Sequence, residues 1–231
     1  MVLSPPLLQV CMYIAKIEEF RTRTFVLVFY YNGKSDGDQV FSRLIHARRM
    51  DALECTVRKE IFRMSIRQAV YDDYPVLAKV HVESWKTTYR GMIADAYLDQ
   101  LTVESRMERW KQLLSRGDKD LWTFVSEDEA GRVSGFIQGG KCREEEAGYD
   151  AEIYALYLLQ EHQGSGHGRL LVNTLIQAFR ENGFGSMYVW VLKENPARQF
   201  YIKMRGSPVS EKTLDIAGQA VLETGLAWDK L

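Results

Sequence analysis

Cysteine, histidine, proline and charge of one sign are all scarce in this chain of 231 residues, and each shortage excludes something. The three cysteines (Cys11, Cys55, Cys142) form no CxxC pair and the histidines do not cluster with them, so neither a metal site nor a disulfide scaffold is indicated. A reducing, cytoplasmic setting is expected. Lys plus Arg number 30 and Asp plus Glu 31; a net charge of −1 leaves no electrostatic footprint for nucleic acid. No apolar run approaches the ~18–20 residues of a membrane span. The stretch from Met1 to Tyr30 also lacks the basic start, unbroken apolar centre and small-residue cleavage site of a signal peptide. Neither nucleic acid nor membrane is therefore an expected partner. What is present, 46% hydrophobic and 26% charged residues, is the composition of a soluble globular protein.

The chain is uneven. Residues 1–63 hold 10 Lys/Arg against 7 Asp/Glu, and the remainder 20 against 24. The first part has erratic patterning: a lone strand-like run at Thr24–Tyr31 followed by the turn-rich segment Asn32–Asp38. From Met64 onward every segment is periodic. Residues 1–63 are read as a poorly ordered extension, translated upstream sequence or an unrelated appendage, with the physiological start at Met64. Lys59-Glu60, four codons ahead, can be encoded as a ribosome-binding sequence. A genuine N-terminal extension is the other reading, and mass spectrometry of the native N-terminus separates them. Residues 64–231 are read as one domain.

Within that domain Ser65–Ala69 reads as a strand. Asp72-Asp73 stand where helix entries favour acids, and Pro75 is tolerated in the first turn. That helix carries Val76, Leu77, Val80 and Ser84 toward Trp85. Ala94–Leu101 and Val103–Leu114 read as helices, and Leu121–Val125 and Val133–Ile137 as a hairpin around Glu127–Gly131. Lys141–Ala147, with Glu144-Glu-Glu146, reads as a solvated loop. A strand at Tyr149–Leu159, a helix at Gly166–Glu181 capped by Asn182-Gly183, and a buried strand at Met187–Leu192 follow. A short helix at Asn195–Met204 and a hairpin of Val209–Ile216 with Ala220–Trp228 complete an α/β domain with a mixed, centrally parallel sheet.

The most informative stretch is Gln163-Gly164-Ser165-Gly166-His167-Gly168-Arg169. Strand, glycine loop, helix N-terminus is a recipe for holding a pyrophosphate: glycines let the backbone come close, and several N–H groups with the helix dipole face one anion. A dinucleotide fingerprint needs Gly-x-Gly-x-x-Gly and a ribose-binding acid ~20 residues later, and a triphosphate loop needs Gly-Lys-Ser/Thr. Neither is here.

Three motifs together resemble the GNAT superfamily of acyl-CoA-dependent N-acetyltransferases, in its small bacterial form. Gln163-x-x-Gly166-x-Gly168 is similar to the loop that cradles the acetyl-CoA pyrophosphate. Asn195-Pro-Ala-Arg-Gln-Phe-Tyr-Ile-Lys-Met204 looks like the family's Asn-Pro-Ala-Arg-x-Phe-Tyr-x-Lys-Leu-Gly-Phe segment. His81-Val-Glu-Ser-Trp-Lys-Thr-Thr-Tyr-Arg-Gly91 looks like its His-x-x-Ser-Trp-x-x-Thr-Tyr-x-Gly helix near the acceptor site. Gln160 stands where many members have proline, and Arg205-Gly206 where Gly-Phe is usual, so the second helix exit departs from the pattern.

The resemblance covers about residues 66–228 and implies a partly parallel twisted sheet flanked by helices, with acetyl-CoA as co-substrate. It implies cofactor contacts from Leu156, Tyr157 and Leu158 of the strand, from Gln163, Gly164, Ser165, Gly166, His167, Gly168 and Arg169 of the loop, and from Asn195. For Gln163 and Arg169 a solvated helix start is the other reading, and for Asn195 a helix N-cap before Pro196.

Amine attack on a thioester needs a neutral amine, a donor for the oxyanion and a proton for the departing thiolate. The resemblance places Tyr201 beside the sulfur as general acid; a core aromatic like Phe200 is the alternative. Glu152, on the strand bordering the acceptor and sharing a face with Tyr154 and Leu156, is the candidate base, or else a polar residue at a strand edge. Glu83 is a second candidate, and His81 reads as a packed helix residue. Trp85 and Tyr89, four apart on one helix face, form either an aromatic wall for the acceptor or plain core. An acidic rim at Glu144–Glu146 would favour cationic amines.

The expected function is N-acetylation of a primary amine on a small molecule or on a peptide or protein, by direct attack in a ternary complex, by a monomer or homodimer. The rival reading is a non-catalytic acyl-CoA-binding sensor.

Overall fold

The computed structural model describes residues 64–144 and 148–231. The expectations for residues 1–63, and for Glu145 and Glu146 in the acidic loop, lie outside the described residues.

Seven strands form one sheet in the order β1-β2-β3-β4-β5-β7-β6. They are β1 (Ser65–Gln68), β2 (Leu121–Glu127), β3 (Val133–Lys141), β4 (Ala151–Leu158), β5 (Met187–Leu192), β6 (Ser207–Ile216) and β7 (Gln219–Trp228). All neighbours are antiparallel except β4 and β5, the parallel pair at the centre. The helices are α1 (Tyr74–Thr88), α2 (Asp95–Asp99), α3 (Val103–Ser115), α4 (His167–Glu181) and α5 (Ala197–Lys203).

The expected elements are all present, and the differences at their ends have physical causes. The β3 strand runs on to Lys141 through Gly139-Gly140, where loss of side chains reads as a strand end. Those glycines are required by close packing: a Cβ on Gly139 would lie 2.7 Å from the Glu152 carbonyl, and one on Gly140 2.3 Å from the Asp120 carbonyl. Asp73 does not cap α1 with its side chain. Instead it accepts the Val70 N–H at 2.8 Å and pairs with the Arg67 guanidinium at 2.6 and 2.8 Å, closing the turn between β1 and α1. At the exit of α5, Arg205 takes the left-handed conformation (φ 71°), the position that glycine usually fills after a helix. The departure from the Gly-Phe pattern is thus absorbed as local backbone strain.

Two apolar faces sandwich the sheet. The amphipathic α4 lays Leu171, Val172, Leu175 and Phe179 against Ile137, Ile153, Met187 and Val189. On the other face α1 and α3 bring Leu77, Val80 and Trp110 onto Val125 and Phe136. Each fully buried side chain of this size contributes about 1.5–3 kcal/mol, so the sheet is held from both sides along its middle.

One irregularity matters more than the regular ladders. In the β3–β4 pairing Gln138 faces Ala155 and Gly139 faces Ile153, so Tyr154 is an extra residue, a β-bulge. The strict alternation expected for Glu152, Tyr154 and Leu156 is broken there. Leu156 and Leu158 pack with Ile153 on the α4 side, whereas Ala155 and Tyr157 pack against α1 and α3. Beyond the bulge β4 parts from β5: the parallel pairing covers only Ala151–Ile153 with Met187–Val189. β5 stays paired to β7 along its whole length.

Candidate active site

The parting of β4 and β5 opens a cavity of about 640 Å³. Its walls are Tyr154–Leu158 of β4 and Val189–Leu192 of β5, with Phe200 and Tyr201 of α5 between them. From Ala155 to Leu158 one edge of β4 pairs with β3 and the other edge faces the cavity without a strand partner among the described residues. Such an edge can accept an extended, amide-bearing chain as an added strand.

The glycine loop closes one end. Gly164 and Gly166 hold positive φ of 73° and 97°, conformations that side-chain-bearing residues avoid, and Gly166 is the residue from which α4 starts. Ser165 Oγ donates to the His162 carbonyl at 2.5 Å and pins the turn. As a result the backbone N–H groups of Gly164 through Arg169 have no acceptor among the described residues. Gly168 packs beside Leu158 of β4 and Phe200 of α5, where a Cβ would make ordinary contact at 3.4–3.5 Å. Gly164, Gly166, Gly168 and Arg169 line the cavity at the start of the 15-residue α4, where free N–H groups and the helix dipole favour an anion.

Two loop side chains have other employment. Gln163 donates its amide to the Leu158 carbonyl at 3.1 Å, and Ser84 of α1 donates to the same oxygen at 3.1 Å. These bonds tie strand exit, loop and α1 together, a role for Ser84 that a helical-face pattern cannot reveal. His167 is buried and its Nδ1 meets Ser134 Oγ at 3.1 Å. Burial, followed by the neighbouring His162, holds the His167 imidazole below its ordinary pKa. Its contribution to the loop is the backbone N–H.

Asn195 is buried on the cavity wall, and its Oδ1 accepts the Ala197 N–H at 2.9 Å, capping α5. Tyr201 lines the cavity at 5% exposure, and its hydroxyl makes no hydrogen bond among the described residues. Burial, with Tyr157 close by, pushes its phenol well above the ordinary range, so it stays protonated at neutral pH.

The other expected site residues divide. Tyr89 lines the cavity, stacked edge-on with Trp85 at 4.9 Å. Trp85 itself sits one layer back, against His81, Tyr97 and Tyr157. Glu83 is exposed beside Lys79 and is not brought to the cavity. Nor is Glu152: it is 2% exposed, and its carboxylate is gripped by Arg143 through the backbone N–H at 3.1 Å, Nε at 3.0 Å and a further bond from Nη2. His81 is held near 3 by burial and by Arg106 and Arg109, too low to act as a base at neutral pH.

One cavity residue had no signal in the sequence. Glu223 of β7 also lines the cavity, close to Tyr89 and Tyr157. It sits mid-strand among alternating residues, where its spacing marks nothing. The β6–β7 hairpin that carries it reaches the α1–α2 connection, where Gln219 donates to the Met92 carbonyl at 3.2 Å.

A profile described as "Acetyltransferase (GNAT) family" matches residues 82–206. The chain is 40% identical over 168 residues to the Bacillus subtilis (strain 168) protein named uncharacterized N-acetyltransferase YuaI, covering 73% of this chain and 94% of that one. Among solved structures, the PaiA N-acetyltransferase of Thermoplasma acidophilum in complex with coenzyme A gives a TM-score of 0.52 at 22% identity, over 70% of this chain and 97% of that one. YncA of Salmonella typhimurium, solved with acetyl-CoA, gives 0.54 at 22% identity, over 71% and 92%. These two likenesses show the shared fold.

Proposed function

Because the chain belongs to the GNAT acetyltransferase family, we propose that it carries the acetyl group of acetyl-CoA directly to a primary amine, both substrates being bound together. The observation that carries this reading is the parted β4–β5 pair, next to a glycine loop whose six N–H groups have no partner among the described residues. In this reading phosphate lies at the glycine loop, an extended pantetheine arm runs along β4 and the thioester lies near Tyr201, all residues of the one cavity. The coenzyme A and acetyl-CoA recorded for the PaiA and YncA structures support the same ligand here.

In this mechanism the residues have separate tasks. The loop N–H groups and Arg169 hold the pyrophosphate. The open edge of β4 hydrogen-bonds the pantetheine amides, and its N–H groups are the donors available to the developing oxyanion. Tyr201 gives its phenolic proton to the departing thiolate sulfur; burial keeps the phenol protonated at neutral pH, and its place on the cavity wall between β4 and β5 makes it the candidate donor. Asn195 fixes the start of α5 and thereby the position of Tyr201. The acceptor is a small-molecule amine or an amine of a peptide or protein, reaching the site at the Tyr89–Met92 end.

Thermal unfolding with acetyl-CoA and thiol release over an amine panel test the reading. At about 100-fold over the dissociation constant, acetyl-CoA should stabilise the fold by about 2.7 kcal/mol. For a chain of this size that is a rise in Tm of roughly 5–11 °C. An unchanged Tm at saturating acetyl-CoA would sink it.

A further inference from the structure

We propose that Glu223 is the acceptor-ammonium site: its carboxylate binds the incoming amine as R–NH3+ and removes the proton that frees the nitrogen lone pair. The assignment rests on the acetyl-transfer reading and gives that reaction the base that Glu152, locked onto Arg143, does not provide.

Three observations carry it. The first is polarity. Of the side chains lining the cavity among the described residues, only two are formally charged: Arg169 at the glycine loop and Glu223 on β7. A cavity with one cation where the phosphates go and one anion where the amine goes is polarised along the path of the reaction. The second is availability. The neighbouring acids are committed: Glu152 to Arg143, Glu144 to Lys212, Glu211 to Lys193. Glu223 has no hydrogen bond or ion pair among the described residues, although it is half-buried. A half-buried carboxylate with no partner is costly to leave so, and a bound ammonium is the partner that the site offers room for. The third is position. Glu223 pairs across the ladder with Leu192 of β5, at the point where the chain leaves toward Asn195 and α5, the helix that carries Tyr201, and both side chains line the same cavity.

The surroundings suit a base. Burial raises the Glu223 carboxyl above its ordinary range; Lys212 on β6 and Arg143 beyond β3 pull it down, while Glu144 and Glu152 push it up. Tyr89 at the end of α1 and Tyr157 on β4 face it from the remaining sides, and both phenols are themselves raised. A carboxylate raised toward neutrality takes a proton from an ammonium more readily than an unperturbed one.

The step balances. Glu223 accepts one proton from R–NH3+. The freed lone pair forms the C–N bond to the thioester carbon while the C=O pair moves onto oxygen. That pair returns as the C–S bond breaks and its electrons leave on sulfur, which takes the Tyr201 proton. The nitrogen loses its second proton, which restores Tyr201, and Glu223 releases its own to solvent. The sum is ammonium plus thioester giving amide, thiol and one H+. The acceptor class that follows is an alkylammonium ion with a pKa near that of lysine, about 10, rather than a weakly basic aryl amine.

Butylamine, a plain alkylammonium, is the probe. With acetyl-CoA bound, Glu223→Gln should lower kcat/KM for butylamine by about 10²–10³-fold, leave the acetyl-CoA thermal shift intact and erase the rise of rate with pH through the Glu223 carboxyl. Glu223→Asp should recover part of the rate. A Glu223→Gln protein with wild-type rate and pH profile overturns the assignment. So does a wild-type protein that binds acetyl-CoA yet neither acetylates butylamine nor shows a saturable butylammonium shift of the Glu223 carboxyl carbon by NMR. If acetyl-CoA itself fails to bind, the acetyl-transfer reading falls and takes the assignment with it.

Discussion

Replacing Tyr201 by phenylalanine should make the protein a worse enzyme without making it a weaker fold, and the two effects can be worked out separately. The ring of Tyr201 is packed edge-on against Phe200 at 5.2 Å and Trp228 at 6.1 Å, contacts that phenylalanine keeps. The hydroxyl has no hydrogen-bond partner among the described residues, so its removal breaks no protein bond and lifts a desolvation cost. Stability should therefore stay level or rise by up to about 1 kcal/mol, a Tm increase of roughly 0–4 °C. Turnover should fall by about 10²–10⁴-fold, the usual range for loss of a positioned general acid. Acetyl-CoA affinity should be unchanged within about threefold, since the phosphate and pantetheine contacts lie elsewhere along the cavity. Differential scanning fluorimetry with and without acetyl-CoA, beside thiol release, reads all three quantities. Equal loss of stability, binding and turnover would show that Tyr201 is a structural residue and refute its role as acid.

Other substitutions probe the frame around the site. Burial opposes ionisation of Asp73, but Arg67 and the Val70 N–H outweigh it and hold the carboxyl below its ordinary range. Because the folded-state pKa is depressed, this stability is present above the unfolded carboxyl's value of about 3.9 and is lost as pH falls through the folded value. Asp73→Asn should cost about 1.5–3 kcal/mol at neutral pH and flatten that acid limb in pH-dependent denaturation; an unchanged limb would contradict the pairing. Arg205→Gly should relieve the left-handed strain at the end of α5 and stabilise by about 1 kcal/mol in urea unfolding, and a loss of stability would contradict it. Gly139→Ala should destabilise by about 1–3 kcal/mol, because its Cβ meets the Glu152 carbonyl at 2.7 Å and Leu175 at 2.8 Å; a neutral result would mean that the β3–β4 contact is looser than drawn.

Much of this molecule is legible from local pattern because each local choice agrees with the final fold. The four apolar α4 residues Leu171, Val172, Leu175 and Phe179 fall at helical spacing, and the same residues fill the core. The glycine loop is legible for a related reason: only glycines make the backbone turns that leave its N–H groups free. What was not legible depends on neighbours that spacing cannot see. Glu152 looked like a base because of its strand, yet Arg143, nine residues earlier in a loop, already occupies its carboxylate. Trp85 and Tyr89 share a helical face, but the depth of the cavity separates them into a second layer and a wall. The bulge at Tyr154 inverts the faces of everything after it, and no residue in Glu152–Leu158 announces it. Glu223 became visible only when the hairpin was folded against β5.

The central claim is that acetyl-CoA lies between β4 and β5 with its phosphates on the glycine loop. Amide hydrogen exchange read peptide by peptide, with and without saturating acetyl-CoA, tests it most directly, because the N–H groups of Gly164–Arg169 have no acceptor among the described residues and one edge of β4 lacks a strand partner there. The account predicts that protection rises in Gly164–Arg169 and in Tyr154–Leu158 while the β6–β7 ladder changes little. Protection confined to other segments, with these two unaltered, would contradict it.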